Sequence, residues 1–326
     1  MDWRNTLSTS ILARVCQFKQ WGIIVNEHIL GREDTRLHVE VLAKHFDFIG
    51  LRDLSERLAS PKKRPFCLLT FDDGKRSNAT VVAPELLKLG IPAVFFLSTD
   101  HITNGTPFWF DRHLALLRTL GREPEGLERR GIKQLPFNEL AERLDWACAQ
   151  HGIEPDLNND DVRPMSWAEV RRLAQDGFTI GAHGLRHAIL TNESTEAAQD
   201  EIRLSIAKVR EAIGTCDTFA FPNGNYTRDL AQYALECGAH SVMTTDPTWV
   251  SPSCPVWRLP RIQLFPGFSP ARIQLKLALA AFPGVLASPD GTGRRYTLKR
   301  WMSDRSAGSR QEPRLALRDE QRSGNR

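Results

Sequence analysis

The sequence contains no closely spaced cysteine pair and no long hydrophobic run. Its six cysteines are scattered without a Cys-x-x-Cys motif, which predicts buried free thiols rather than a disulfide framework or a zinc knuckle. The most apolar stretch, residues 277–287, is short and interrupted by Pro283 and Gly284, so it cannot span a membrane. Residues 1–20 show no apolar core typical of a signal peptide. We therefore expect a cytoplasmic protein without a transmembrane segment.

Most of the chain also lacks a strong net charge. The 326 residues carry a formal charge of +4, and residues 294–326 hold ten Lys or Arg against four Asp or Glu. That segment has a charge of +6, which leaves −2 for residues 1–293 and predicts no nucleic-acid partner. We predict that residues 290–326 form a basic, disordered tail. After the weakly apolar helix predicted at 273–287, it could make peripheral contact with the inner face of a membrane; a solvated tail is the alternative.

Short apolar segments alternate with helical patterns along the chain, which predicts an α/β fold with a largely parallel sheet. One helix signal is a capping box formed by Ser166 and Glu169, with Gly177 at the far end. Residues 101–163 are less regular and predict an inserted helical excursion within a single catalytic domain, residues 1–289. The strand candidates are residues 22–25, 66–71, 93–98, 178–182, 218–221 and 240–244.

Two neighbouring carboxylates follow one predicted strand, and two histidines follow another. Asp72 and Asp73 come directly after residues 66–71, and His183 and His187 are four residues apart, which places them on one face if the chain turns helical there. One aspartate and two histidines make a typical catalytic zinc ligand set, and the ion would let the second aspartate stay ionised nearby as a base. Taken singly, each motif is more often structural, but their combination at two strand ends favours the metal site.

The motifs "LTFDDG", "HGLRH" and "FAFPNGNY" together resemble the polysaccharide deacetylase family, the NodB-homology domain of carbohydrate esterase family 4, from about residue 21 to residue 263. "LPRI" (259–262) is similar to a segment of its exopolysaccharide-linked branch. The resemblance implies a distorted (β/α) barrel that hydrolyses acetyl groups of amino sugars. It implies Asp72 as the general base, and Asp73, His183 and His187 as ligands of a divalent metal, zinc foremost, with cobalt, manganese and nickel as alternatives.

Three features depart from the family pattern. Gly184 stands where the histidine motif normally has Ser or Thr. Ala220 stands where the third motif normally has the arginine that holds the base, and we predict Arg261 as its replacement; the alternative is a surface arginine paired with any nearby acid. The late Leu-x-His motif, source of the general acid, is missing. His28 resembles its substitute in the exopolysaccharide-linked branch, unless it is a partly buried loop histidine.

For the substrate, we predict that a backbone N–H of the Asn223 and Gly224 turn completes an oxyanion hole. We predict that Tyr226 and Trp249, or Trp257, stack on sugar rings, although each tryptophan could equally belong to the core. The predicted function is metal-dependent removal of N-acetyl groups from an acetylated amino-sugar oligo- or polysaccharide, or from its biosynthetic intermediate. The alternatives are a deformylase or another C–N amide hydrolase on the same fold, and a catalytically silent carbohydrate-binding homologue.

Overall fold

A computed structural model describes residues 3–19, 21–60, 64–122 and 131–282. Their strands form a single sheet in which every paired neighbour is parallel, so the predicted α/β fold with a parallel sheet is confirmed. The strands are β1 (Gly22–Glu27), β2 (Asp47–Phe48), β3 (Phe66–Phe71), β4 (Ala93–Leu97), β5 (Thr179–Ala182), β6 (Thr218–Ala220), β7 (Ser241–Met243) and β8 (Ile262–Gln263).

The sheet runs in the order β7-β6-β5-β4-β3-β1-β8, and β2 pairs with the first residues of β3. The segment 259–263 connects the two ends of this path. Leu259 forms a parallel bridge with Met243 of β7, and three residues later Ile262 pairs with Val25 of β1. The predicted distorted (β/α) barrel is therefore confirmed, with residues 259–263 as its closing segment.

The strands are buried on both faces, as their continuous apolar sequences require in a parallel sheet. Successive side chains alternate between two apolar clusters: Ile24 packs with residues of β3, β4 and β7 inside the barrel, while Ile23 and Val25 pack outward against the helices. All six cysteines are free thiols, of which four are buried and two partly exposed.

The helices surround the barrel. The predicted capping box is present at the start of the helix Trp167–Gln175, where Ser166 and Glu169 bond reciprocally. None of the described helices is long and apolar enough to cross a lipid bilayer. The helix bounds are α1 (Trp3–Phe18), α2 (Arg32–Ala43), α3 (Leu54–Ala59), α4 (Ala83–Lys88), α5 (Thr99–Asn104), α6 (Trp109–Thr119), α7 (Phe137–Gln150), α8 (Trp167–Gln175), α9 (Thr195–Ile213), α10 (Arg228–Glu236) and α11 (Pro270–Ala280).

Helices α6 and α7 account for much of the region predicted as a helical insertion. They pack on each other through a small apolar cluster of their own, formed by Trp109, Leu116, Leu140 and Leu144. The limits of the predicted domain stay a prediction. The predicted tail, residues 290–326, lies outside the described residues.

Candidate active site

The two neighbouring aspartates lie at the carboxyl end of β3, where the chain reverses sharply. Asp73 and Gly74 both adopt left-handed backbone conformations, with φ of 77° and 80°. The left-handed φ of Gly74, together with the 2.9 Å approach of a Cβ atom there to Leu97 Cδ2, favours glycine at this position. Left-handed backbone is unusual for an aspartate and marks a conformation that the surrounding structure enforces. It directs the carboxylates of Asp72 and Asp73, both buried, toward different partners.

His183 follows β5 and is oriented by a hydrogen bond to the backbone. Its Nδ1 lies 2.7 Å from the carbonyl oxygen of Ala220, which can only accept, so Nδ1 carries the proton and Nε2 keeps its lone pair. Burial, helped by the nearby charges of His187 and Arg261, lowers the pKa of His183 to about 4. The ring is therefore neutral at neutral pH, the form that binds a metal ion.

His187 reaches the same place through a loop rather than a helix, so the helical reading of the two histidines was wrong. Residues 183–187 are irregular, with φ of 75° at Gly184 and 55° at His187. Buried Glu201 of α9 holds this loop, because Oε2 accepts from the backbone amides of Leu185 (2.7 Å) and Arg186 (3.1 Å). A short carboxylate-pinned loop therefore brings the imidazoles together.

The geometry around Asp73 fits a divalent cation. Asp73 Oδ1 lies 3.3 Å from His187 Nε2 and 3.7 Å from His183 Nε2, and one ligand atom from each of these residues lies within 4.8 Å of the others. Asp73 Oδ1 is buried without a hydrogen-bond partner, a costly state that a bound cation would relieve. Burial raises the pKa of Asp73, but His28 and His187 outweigh it and hold the pKa below its usual value. One ionised carboxylate and two imidazoles form a suitable zinc ligand set.

Asp72 is held by Arg261, which the closing segment of the barrel places inside it. The guanidinium binds the carboxylate through two bonds, Nη1 to Oδ1 at 2.7 Å and Nη2 to Oδ2 at 2.9 Å. Arg261 is fully buried and also donates to the carbonyl of Thr244 and the hydroxyl of Thr70, so it is not a surface arginine. Burial raises the pKa of Asp72, but Arg261, His183 and His28 together outweigh it, and the net pKa is lowered. Asp72 is therefore ionised at neutral pH.

His28 lies at the end of β1, on the same edge of the sheet as the other site residues. Its ring is half-buried, with Nδ1 3.5 Å from the side-chain amide nitrogen of Gln263. In its protonated form it would be one of the groups that lower the pKa values of Asp72 and Asp73, in keeping with its place at the same edge of the sheet.

The predicted substrate residues after β6 form a tight turn. Asn223 has a φ of 58° and accepts a hydrogen bond from Lys133 Nζ at 2.7 Å. A Cβ atom on Gly224 would come within 1.9 Å of the Thr245 hydroxyl, and the Gly224 amide donates to the carbonyl of Phe221. The Gly224 amide is thus already used within the turn.

The two predicted sugar-stacking aromatics lie in different surroundings. Tyr226 is half-buried and donates its hydroxyl to Asp246 at 2.9 Å. Trp249 was wrongly predicted to line the substrate groove, because its ring is buried against Phe46 and its indole N–H donates to the Leu277 carbonyl at 2.8 Å. The residue after Trp249 bridges to the first residue of β1, at the opposite edge of the sheet from the site.

Sequence reasoning missed an aromatic wall beside His187, formed by residues 108–110 at the start of α6. The ring centroid of Phe110 lies 5.1 Å from that of His187, and that of Phe108 lies 6.0 Å away. The indole N–H of Trp109 donates to the His187 carbonyl at 3.2 Å. The feature of the sequence that could have revealed this wall is the run of three consecutive aromatic residues within a polar region. The region predicted as an insertion therefore forms part of the site.

Lys75, directly after the aspartate motif, connects that motif to the aromatic wall. Its fully buried ammonium group pairs with Asp111 of α6, donates to the Val162 carbonyl at 3.1 Å and lies 4.2 Å from the centroid of the Phe108 ring. Burial lowers the pKa of Lys75, and Asp111 opposes that shift. A buried ammonium needs such partners, so α6 and the aspartate loop are held together.

Comparisons with known proteins agree with this geometry. Residues 59–242 match a family model described as polysaccharide deacetylase, whereas no curated protein matches the sequence. The structure resembles the Streptococcus pyogenes deacetylase PplD (TM-score 0.56, 15% identity, covering 78% of this chain and 97% of that one). It also resembles IcaB from Ammonifex degensii (TM-score 0.51, 16% identity, 78% and 98%) and the deacetylase domain of BpsB from Bordetella bronchiseptica (TM-score 0.50, 20% identity, 75% and 96%). At these identities the likeness concerns the fold.

Proposed function

Because this chain belongs to the polysaccharide deacetylase family, we propose that it removes N-acetyl groups from an amino-sugar-containing polysaccharide or its biosynthetic intermediate, using a divalent metal ion. The observation that carries the proposal is the separation of the two neighbouring carboxylates. Asp73 Oδ1 has no hydrogen-bond partner and faces the imidazoles of His183 and His187. Asp72 is instead bound through both of its carboxylate oxygens by Arg261. One acid is suited to hold the ion, and the other is suited to act as a base.

Asp73, His183 and His187 would hold the ion, zinc foremost. When bound, such an ion supplies Lewis acidity, which lowers the pKa of water and polarises an acetyl carbonyl. Asp72 takes a proton from the attacking water, and Arg261 keeps its carboxylate ionised and oriented for that step.

Two further groups complete the proposed reaction. His28, at the rim of the site, donates a proton to the nitrogen of the departing amino sugar. Because the Gly224 amide is bonded to Phe221, the amide of Asn223 is the candidate donor to the developing oxyanion. The half-buried ring of Tyr226 offers a surface for a sugar ring.

The test compares Asp72→Asn with Asp73→Asn in the full-length protein. Asp72→Asn should retain zinc at the wild-type stoichiometry and lose about 10²–10⁴-fold in acetate release from N-acetylglucosamine oligosaccharides, because only the base is removed. Asp73→Asn should lose zinc and activity together. Metal content by mass spectrometry and acetate release by a coupled assay provide the two measurements.

Asp229→Asn, an exposed residue of α10, is the matched control and should behave as wild type. A fully active Asp72→Asn protein would remove the base assignment. Retained zinc in Asp73→Asn would remove the ligand assignment.

A deformylase on the same fold is the second candidate, since the metal and base chemistry would be the same. Formate release from N-formylated sugars exceeding acetate release from the acetylated ones would favour it. A silent homologue is disfavoured by the buried Arg261 that supports Asp72. If the zinc-loaded protein binds a chitooligosaccharide and releases neither acid, the silent homologue is the correct description.

A further inference from the structure

Helices α1 and α11 pack against each other on the outside of the barrel, where Ser8 donates to the side-chain oxygen of Gln274 at 2.7 Å. Helix α1 turns an apolar stripe toward solvent. Leu7, Ile11 and Phe18 share this stripe with Arg14, since they are separated by four, three and four residues. Leu7 is 55% exposed and Phe18 is 83% exposed. These side chains are not needed for the barrel core.

Helix α11 presents a similar stripe. Arg272, Leu275, Leu279 and Phe282 follow one another at three- or four-residue spacing on its outer side. Leu275 is 40% exposed, and Phe282, just after the helix, is 54% exposed. Two adjacent helices thus expose large apolar side chains, a combination that marks an interaction surface. We refer to the outward stripes of α1 and α11 as the α1–α11 face.

The charged side chains of the two helices themselves have one sign. Neither helix contains an Asp or Glu, whereas Arg14 lies in the first stripe and Arg272 in the second. Two cations cover aromatic rings beside α11, with the Arg272 guanidinium 4.0 Å from the Phe268 ring and Lys276 Nζ 5.0 Å from the Phe265 ring. Residues 283–326, which continue from Phe282, contain ten Lys or Arg against five Asp or Glu.

This charge pattern indicates which partner binds the α1–α11 face. A second copy of the chain binding through the same face would bring two cationic surfaces together, and the chain's own residues 283–326 are cationic as well. An anionic phospholipid surface is complementary on both counts, because apolar side chains enter the acyl boundary while Lys and Arg extend to the headgroups. We propose that the α1–α11 face binds the surface of an anionic phospholipid bilayer.

The position of α11 defines how the barrel would lie on the bilayer. Just before α11, the Gly267 amide donates to Asp34 near the start of α2, which follows the carboxyl end of β1. At the other end of α11, the Ala280 carbonyl accepts from the Trp249 amide, at the amino edge of the sheet. The α1–α11 face therefore runs along the side of the barrel, from the carboxyl edge of the sheet to its amino edge. With this face on the bilayer, the carboxyl edge, which carries the candidate active site, stays open at one end of the barrel.

The test is flotation of the full-length protein with vesicles of phosphatidylcholine alone or mixed in equal parts with phosphatidylglycerol. Wild type should float with the anionic vesicles and not with the neutral ones. The Phe18→Ser/Phe282→Ser variant should bind the anionic vesicles about tenfold more weakly, because two large side chains no longer enter the bilayer. Leu275→Ser/Phe282→Ser should lose binding similarly and serves as a second variant if the first does not fold.

Trp146→Ser, 69% exposed on α7 and outside the face, is the matched control and should bind as wild type. Circular dichroism melting and acetate release from a soluble oligosaccharide should be unchanged in all variants that fold. Undiminished flotation of both double variants would overturn the proposal, since residues 283–326 would then suffice. Equal binding to neutral vesicles would also overturn it, as would a wild-type dimer in light scattering that the double variants abolish.

Discussion

Asp72 and Asp73 are adjacent in the chain, yet their carboxylates lie in different electrostatic surroundings. Two buried like charges side by side would force one of them to take up a proton. The left-handed backbone at Asp73 avoids this, because it directs one acid to Arg261 and the other to the histidines. Asp72 is then stabilised in its ionised form chiefly by Arg261, and Asp73 by the nearby histidines.

At the scale of single residues, we expect Arg261→Met to shift the acid limb of the pH–rate profile to higher pH. Arg261 holds the pKa of Asp72 down against burial, so without it the pKa of the base rises and protonation stops the reaction at a higher pH. The unpaired buried carboxylate should also cost about 3–5 kcal/mol of stability. Acetate release across pH, with urea unfolding alongside, measures both effects.

Arg261→Lys should give an intermediate profile, because the charge is kept and the bidentate geometry is lost. Arg172→Met, on the exposed surface of α8, is the control and should leave the profile unchanged. An Arg261→Met profile that coincides with wild type would show that Arg261 does not act on the base.

At the scale of elements, the histidine loop depends on α9, whose Glu201 binds two successive backbone amides of that loop. Gly184 lies against this carboxylate: a Cβ atom there would come within 3.1 Å of Glu201 Oε2 and 3.3 Å of Pro222 Cγ. The loop therefore has little room for the hydroxyl-bearing residue that the family pattern normally places at this position. In this chain the support of the loop comes from Glu201.

We accordingly expect Gly184→Ser to weaken zinc binding, although it restores the usual family residue. The left-handed φ should cost about 1–2 kcal/mol of stability, and the contact with Glu201 should displace the histidine loop. Gly90→Ser is a matched control, because Gly90 has a φ of 64° and no atom lies within 4 Å of the place that a Cβ atom would take. Both variants should lose stability in urea unfolding, and only Gly184→Ser should lose zinc affinity in a chelator competition. Equal zinc affinity in the two variants would contradict this account.

At the scale of the whole molecule, the alternation of short apolar strands with capped helices was enough to predict an α/β fold with a parallel sheet, since both signals are local. The closure of that sheet into a barrel was implied only by the family resemblance. The strand-end motifs also identified the residues that meet at one edge. The sequence could not show the loop at His187, because its conformation depends on Glu201 from a later helix. It could not place Trp249 either, since an aromatic residue after a strand fits the core and the site equally well.

The buried position of Trp249 allows a prediction about the stability of the whole protein. We expect Trp249→Ala to lower the free energy of unfolding by about 3–5 kcal/mol, because a large buried ring is removed from the core, and to leave KM for the oligosaccharide unchanged in the folded fraction. Urea unfolding and acetate kinetics at a temperature below the transition give the two values. Trp249→Phe should recover most of the stability. If Trp249→Ala raised KM and left the free energy of unfolding at the wild-type value, Trp249 would instead have to be assigned to the substrate groove.

The closing segment of the barrel has a consequence for biosynthesis. Arg261 comes from residues 259–263, which join the two ends of the sheet, whereas the three predicted metal ligands all precede residue 188. A nascent or incompletely folded chain could thus assemble its ligands and capture an ion before its base is supported. Asp72 would receive the support of Arg261 only after the last strand has docked, so the order of synthesis separates the assembly of the predicted ligand cluster from the completion of the predicted base.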